Sequence, residues 1–212
     1  MDILEITGRD RLLTAIEIEK SDDAIPLGRA LLDGGLSVAE ITFRTSAAVD
    51  ALRKMVTAYP DMIIGVGSII SVVQAKEAVK EGAKFIVSAG FNPELVDWCI
   101  ESNIPVLPGV ATASEITMAI VRDLKVVKYF PAESMGGIKN LNAISAPFPK
   151  MKFIPMGGVS PDNLADYLKR PYVHACGGSW PVKKSLINEG KYSEITRLVS
   201  EALAIIREVK EK

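Results

Sequence analysis

The sequence has a single histidine, two cysteines and only 6% aromatic residues in 212, and the first two shortages each exclude a chemistry. Zinc-type centres draw on several histidines or on paired CxxC cysteines. His174 stands alone, and Cys99 and Cys176 lie far apart in apolar stretches with no CxxC pair. The cysteines therefore read as reduced core residues, as expected of a cytoplasmic chain. Charge of either sign is not in excess: Lys plus Arg number 25, Asp plus Glu 26, and the net charge is −1. Nothing supplies the basic surface that a phosphate backbone requires, so nucleic acid is not an expected partner. Apolar runs stop well short of the ~18 residues of a membrane span. Residues 1–11 mix charged and apolar side chains without a signal-peptide core. The expectation is a soluble cytoplasmic protein with no membrane partner. His174 could serve a Ser/His pair, but in the apolar run 172–176 the plainer reading is a hydrogen-bonded strand residue.

What is present is alternation. Short β-branched or apolar runs occupy 12–18, 38–43, 62–66, 85–88, 106–107, 126–130, 152–156 and 172–176, eight in all. Helix-like segments lie between them. Ser21 with Asp22 and Asp23, Ser46, Ser71, and Asn92 followed by Pro93 stand where helices should open, and Gly34, Gly82 and Asn103 where they should close. Strand–helix alternation implies parallel strands with crossover helices, and eight units make a (β/α)8 TIM barrel of the smallest usual size. A doubly wound sheet would show a glycine-rich fingerprint after its first strand, where Glu17, Ile18, Glu19 and Lys20 stand instead. No linker tract interrupts the series. The reading is therefore one domain over 1–212, with an extra N-terminal helix at 3–10 and a C-terminal helix at 192–209.

A barrel forms its active site at the C-terminal ends of its strands, so polar residues late in an apolar run carry the information. In the second run Ala39, Ile41 and Phe43 alternate with Glu40, Thr42 and Arg44, which places the latter three on the barrel side. A carboxylate aimed into a packed interior is costly unless its charge is used there. Neutralisation by Arg44 or a lysine is the plain alternative. At ~3.3 Å per residue, however, Glu40 and Arg44 would be ~13 Å apart along the strand, which favours separate tasks. The sixth run holds Lys128 among Val126, Val127, Tyr129 and Phe130. Such a lysine either snorkels to water or, held among apolar groups, loses hydration and presents more of the neutral amine that attacks a carbonyl. The second reading is that of a Schiff-base lysine. Gly136-Gly137, Gly157-Gly158 and Gly177-Gly178-Ser179 follow the last three runs. The final two pairs occupy the place where barrels bind phosphate through bare backbone N–H groups, though tight turns alone would also use glycine. Gly65-Val66-Gly67-Ser68 lacks the Lys-Ser/Thr pair of a phosphate loop and is read as turning Ser68 toward the site.

Taken in order, Glu40-Ile41-Thr42-Phe43-Arg44-Thr45, Gly65-Val66-Gly67-Ser68, Phe91-Asn92-Pro93, Pro108-Gly109-Val110-Ala111-Thr112, Lys128-Tyr129-Phe130-Pro131-Ala132-Glu133, Gly157-Gly158-Val159 and Gly177-Gly178-Ser179-Trp180 cover nearly the whole chain. This set resembles the 2-keto-3-deoxy-6-phosphogluconate (KDPG) aldolases, also called 4-hydroxy-2-oxoglutarate (KHG) aldolases. The resemblance implies a class I aldolase on a TIM barrel, homotrimeric, with no metal and no cofactor. It implies that Lys128 forms the Schiff base with the C2 carbonyl of a 2-keto acid and that Glu40 moves protons as base and acid. Arg44 and Ser68 would hold the carboxylate of pyruvate, and the two late glycine pairs, Gly157-Gly158 and Gly177-Gly178, with Ser179, the phosphate of the aldehyde half.

Three positions depart from the family's common pattern. Ser68 replaces Thr and keeps the hydroxyl, while Ala89 replaces a common Pro. Met156 replaces the Thr whose hydroxyl is associated with stereochemistry at the carbon bearing the new alcohol, and a thioether donates no hydrogen bond. The expected substrate is a 2-keto-3-deoxy sugar acid, KDPG first and KHG second. Two alternatives stay open: a phosphosugar isomerase or epimerase in which Lys128 only neutralises Glu40, and a non-catalytic binder of phospho-sugar acids.

Overall fold

A computed structural model describes residues 2–210 of the chain. Its first half runs α1 (Ile3–Asp10), β1 (Leu12–Ile16), α2 (Ala24–Asp33), β2 (Val38–Thr42), α3 (Ala48–Ala58), β3 (Ile63–Gly67), α4 (Val72–Lys80), β4 (Ile86–Val87) and α5 (Pro93–Glu101). The second half runs β5 (Val106–Leu107), β6 (Gly109–Val110), α6 (Ala113–Val121), β7 (Val126–Tyr129), α7 (Gly137–Ser145), β8 (Lys152–Pro155) and α8 (Pro161–Leu168). It ends with β9 (Cys176–Gly178), α9 (Lys184–Asn188) and α10 (Tyr192–Lys210). No helix of the described residues is long and apolar enough to cross a membrane.

Every strand pairing is parallel. One sheet has the order β5-β4-β3-β2-β1-β9 and the other β6-β7-β8. Only Pro108 separates β5 from β6; without an N–H it cannot donate to a ladder, yet its carbonyl accepts from Lys128 N at 2.9 Å. On the far side, single parallel bridges Phe153↔Val173 and Met156↔Gly177 connect the β8 region to the β9 segment.

Side chains alternate between two cores. Leu12, Ile16, Ala39 and Ile41 join the larger cluster, which packs the strands against the helices, and Phe43 packs partly buried on it. Leu13, Val38, Ile63, Phe85, Val126 and Ile154 form a smaller cluster on the opposite face. α1 contributes Ile6, with Ile3 and Leu4 packed beside it, to that second cluster. Its start is secured by a capping box between Asp2 and Glu5. His174 Nε2 lies 3.0 Å from the Leu4 carbonyl oxygen, and Arg11 Nε donates to the His174 carbonyl at 2.9 Å. The lone histidine thus ties α1 to the strands.

Ser71 caps α4, and Asn92 with Pro93 opens α5. Ser46 does not cap α3, whose N-cap is Ala47. Residues Ser21–Asp23 form a 3-10 turn without a side-chain cap, because those side chains serve tertiary partners. Ser21 Oγ accepts from Lys54 Nζ at 2.9 Å and Asp23 Oδ1 from Tyr192 at 2.9 Å. The strand expected at 172–176 is instead β9, displaced toward the C-terminus, since Gly177 and Gly178 pair with Leu13 and Thr14 rather than forming a turn. A Cβ on Gly177 would come 2.6 Å from Met156 Cε, so glycine is what lets these segments approach. Gly65 and Gly67 likewise lie inside β3 rather than in a turn after it.

At Gly109 the constraint is backbone against backbone, because a Cβ there would sit 2.0 Å from the Ala89 carbonyl oxygen. Gly109→Ala is expected to destabilise the fold by about 1–3 kcal/mol or more. Calorimetry should then show a melting-temperature loss of roughly 2–4 °C per kcal/mol; an unchanged Tm would mean that the β5–β6 junction yields freely.

Candidate active site

Glu40 is fully buried in the middle of β2, and Lys128, in β7, is only 4% exposed. Two side chains this long fit inside because their neighbours across the ladders are small. Glu40 is in register with Ala15 on one side and Gly65 on the other, and Lys128 with Gly109 on one side. Gly67 is stricter still, since a Cβ there would fall 1.7 Å from Glu40 Oε1. Among the described residues neither carboxylate oxygen of Glu40 has a hydrogen-bond partner. Burial therefore pushes its pKa above the ordinary 4.5, and the charges of Lys128 and Arg44 pull it back only in part. The Lys128 ammonium stands 4.9 Å from the centre of the Phe130 ring, whose face favours a cation.

Both residues open onto a cavity of about 510 Å³ at the C-terminal ends of β1, β2, β7, β8 and β9. Of the residues singled out from sequence, Arg44, Met156, Gly157, Gly158, Gly178 and Ser179 also line it. Ser68 and Gly177 do not. Ser68 Oγ instead accepts from Arg44 Nε at 2.7 Å, and Gly177 lies against the Met156 side chain. Ser68 adopts a left-handed backbone (φ 59), a conformation that costs a residue with a Cβ about 1–2 kcal/mol. Arg44 Nη1 lies 4.0 Å from Glu17 Oε2.

Sequence reasoning missed Glu17, Lys183 and Lys184, which line the same cavity. Lys184 Nζ pairs with Glu17 at 3.0 Å and Glu19 at 2.8 Å. Glu17 carried the signal that exposed Glu40, a charge late in an apolar run. Lys183 and Lys184 follow a 3-10 turn (Trp180–Val182) and only tertiary structure brings them to the rim. Among the described residues no three His, Cys, Asp or Glu side chains cluster as a metal site. The thiols are free and buried, and burial pushes Cys99 up to about 12, which leaves little thiolate for nucleophilic work.

Comparison with known proteins matches this arrangement. The family described as "Aldolase: KDPG and KHG aldolase" matches residues 3–198. The chain belongs to the KDPG and KHG aldolase family. It is 40% identical over 204 residues to the 2-dehydro-3-deoxy-phosphogluconate aldolase of Treponema pallidum, covering 96% of this chain and 97% of that one. It is 40% identical to the KHG/KDPG aldolase of Escherichia coli K12, covering 91% and 90%. The KDPG aldolase of Legionella pneumophila, crystallised with pyruvate as a covalent carbinolamine, superposes with a TM-score of 0.93 at 37% identity, covering 95% and 98%. That of Zymomonas mobilis ZM4, solved with 3-phosphoglycerate, superposes at 0.89 with 32% identity, covering 96% of each chain.

For this aldolase the position of Glu40 has a thermodynamic consequence. Below pH 4.5, its ordinary value, the carboxyl is protonated folded or unfolded and its ionisation costs nothing. As pH rises past 4.5 the unfolded chain releases the proton first, so stability falls until the folded pKa is reached. Glu40→Gln removes that loss. Its melting temperature relative to wild type should rise between pH 4 and pH 8, by about 2–4 °C for each kcal/mol recovered. A Tm difference independent of pH would contradict the raised pKa.

Proposed function

We propose that the protein is a class I aldolase that cleaves KDPG to pyruvate and glyceraldehyde 3-phosphate, and by the same steps KHG to pyruvate and glyoxylate. The observation that carries this reading is the buried Lys128 amine opening onto the same cavity as a buried, unpartnered Glu40 carboxyl. Neutral Lys128 Nζ adds to the C2 carbonyl, and loss of water gives an iminium. Glu40, as carboxylate, takes the proton of the C4 hydroxyl while the C3–C4 bond breaks and its electron pair passes into the iminium, leaving an enamine and releasing the aldehyde. The same carboxyl, now protonated, returns the proton to C3, and water then frees pyruvate and Lys128. A group that both accepts and donates near neutrality benefits from a raised carboxyl pKa, which burial supplies to Glu40. The pyruvate captured covalently in the Legionella relative supports this chemistry here.

Arg44, held by Ser68, binds the substrate carboxylate, and the phosphate takes the backbone N–H groups of Gly157, Gly158 and Gly178 together with Ser179. The bridges between β8 and β9, the β9–β1 pairing and the one-residue gap at Pro108 support closure of the two sheets into one (β/α)8 barrel. α1 plugs its N-terminal end, and the whole chain is one aldolase domain. We further read the assembly as a homotrimer. The family resemblance supports it, as do the exposed apolar side chains of Ile70, Val73, Met118 and Val121. The free thiols suit a cytoplasmic enzyme.

Borohydride added with pyruvate should fix one pyruvate-derived mass on Lys128 by peptide mass spectrometry, and Lys128→Met should lose both adduct and turnover. A folded wild-type sample without adduct would overturn the Schiff-base reading. Met156 is 2% exposed and lines the cavity, where its thioether cannot donate to a substrate hydroxyl. Pyruvate release from KDPG, its C4 epimer and KHG should therefore shift in relative rate in Met156→Thr. One buried hydrogen bond gained or lost corresponds to about 1–3 kcal/mol, or roughly 5- to 150-fold. An unchanged ranking would remove this position from the specificity determinants.

A further inference from the structure

Beyond β7 the chain that carries Lys128 continues against the turn after β8. Ala132 N donates to the Met156 carbonyl at 2.8 Å and Glu133 N to the Gly157 carbonyl at 3.0 Å. The Glu133 side chain then fills the space beside Gly158. A Cβ on Gly158, itself left-handed at φ +85, would meet Glu133 Cβ and Cγ at 2.5 Å. On its other side Glu133 Oε1 lies 2.9 Å from where a Cβ of Gly137 would stand. The same oxygen accepts from the hydroxyl of Tyr167, a fully buried residue of α8. α8 grips the turn from its own side as well. Asn163 Nδ2 donates to the Gly158 carbonyl at 3.2 Å, and Ser160 N to Asn163 Oδ1 at 2.9 Å. The turn Gly157-Gly158, with no side chains of its own, is thus clamped between the Lys128 strand and α8. Neither Glu133 nor Tyr167 lines the cavity.

We propose that Glu133 and Tyr167 are positioning residues that set the Gly157-Gly158 turn at its distance from Lys128, and so determine affinity for the phosphorylated half of the substrate. Two glycines in succession, at φ +91 and +85, have many alternative conformations and would aim their N–H groups at an anion only if held from outside. A hydrogen bond from a phenol to a carboxylate is among the stronger, directional kinds, and this one joins two elements that meet at the turn. The imine half does not depend on it. Lys128 sits five residues earlier, in a strand laddered on both sides to Gly109 and Ile154.

This inference rests on the aldolase reading, and two reactions of the full-length enzyme separate them. Exchange of pyruvate methyl protons with deuterium, followed by NMR, needs only the Schiff base and its acid–base group; KDPG cleavage needs the distal turn as well. Tyr167→Phe and Glu133→Ala should lower kcat/KM for KDPG by about 10- to 100-fold, chiefly through KM, as expected of a misplacement of about an ångström. Methyl exchange in both should stay within about twofold of wild type. Glu133→Gln keeps an oxygen that can accept from Tyr167 and should restore KM to near the wild-type value. An unmoved KM in folded Tyr167→Phe would overturn the proposal. So would exchange that falls in step with cleavage, or a Glu133→Gln variant as impaired as Glu133→Ala. If wild type performs neither reaction, the aldolase reading itself fails.

Discussion

A carboxyl group with no hydrogen-bond partner among the described residues, buried in the same cavity as an amine, is the arrangement on which the rest of this structure depends. An ionised carboxylate stripped of water and left unpaired is costly enough that it normally takes up a proton or finds a donor. Here the donor is withheld. Ala15 and Gly65 flank Glu40, Gly67 stands against its oxygen, and Arg44 Nε donates to Ser68. The result is a carboxyl whose pKa is raised by burial, which suits the proton transfers at C4 and C3 proposed for it. Above the carboxyl's ordinary pKa its burial costs stability.

The scaffold follows from the same constraint. Long polar side chains can point into a packed layer only where the neighbouring strands carry little bulk, and Gly65, Gly67 and Gly109 provide that room. Space left by Gly65 is filled from the far side by the Phe85 ring, 2.5 Å from where a Cβ would be. Below the polar layer, Leu13, Val38, Ile63 and Val126 pack with Ile6 of α1 in one apolar cluster. Above it the cavity opens, lined by Arg44, Gly157, Gly158, Gly178 and Ser179 as well as by the amine; under the proposed function these groups would meet the two ends of the substrate.

Much of this was legible residue by residue. Glu40, Thr42 and Arg44 were assigned to one face by alternation alone, and Ala39 and Ile41 do pack on the other. Lys128 stood out as a charge inside a β-branched run, and it is buried. Glu17 offers the same cue at the end of the first run and lines the cavity. The glycine pairs misled in part: Gly177 and Gly178 belong to β9, because glycine marks close approach between strands as readily as it marks a turn. Ser46 resembled a cap, but the chain turns through Thr45, whose hydroxyl donates to the Ile18 carbonyl at 2.5 Å. Hydroxyl-bearing residues before a helix have several possible partners, and sequence does not say which wins.

By itself the sequence determined the alternation of parallel strands and helices, the face on which each polar interruption lies, and the ordered motifs that place the chain among the KDPG and KHG aldolases. These are properties of neighbours along the chain, where a period of two residues in a strand or a cap before a helix is set by local geometry. Only the tertiary structure decided that Glu40 is left without a hydrogen-bond partner among the described residues, that Ser68 serves Arg44 rather than lining the cavity, that Lys184 is tethered to Glu17, and that Tyr167 reaches Glu133. Each of those depends on side chains that are distant in sequence competing for the same few cubic ångströms, and that competition is settled only when the strands are packed.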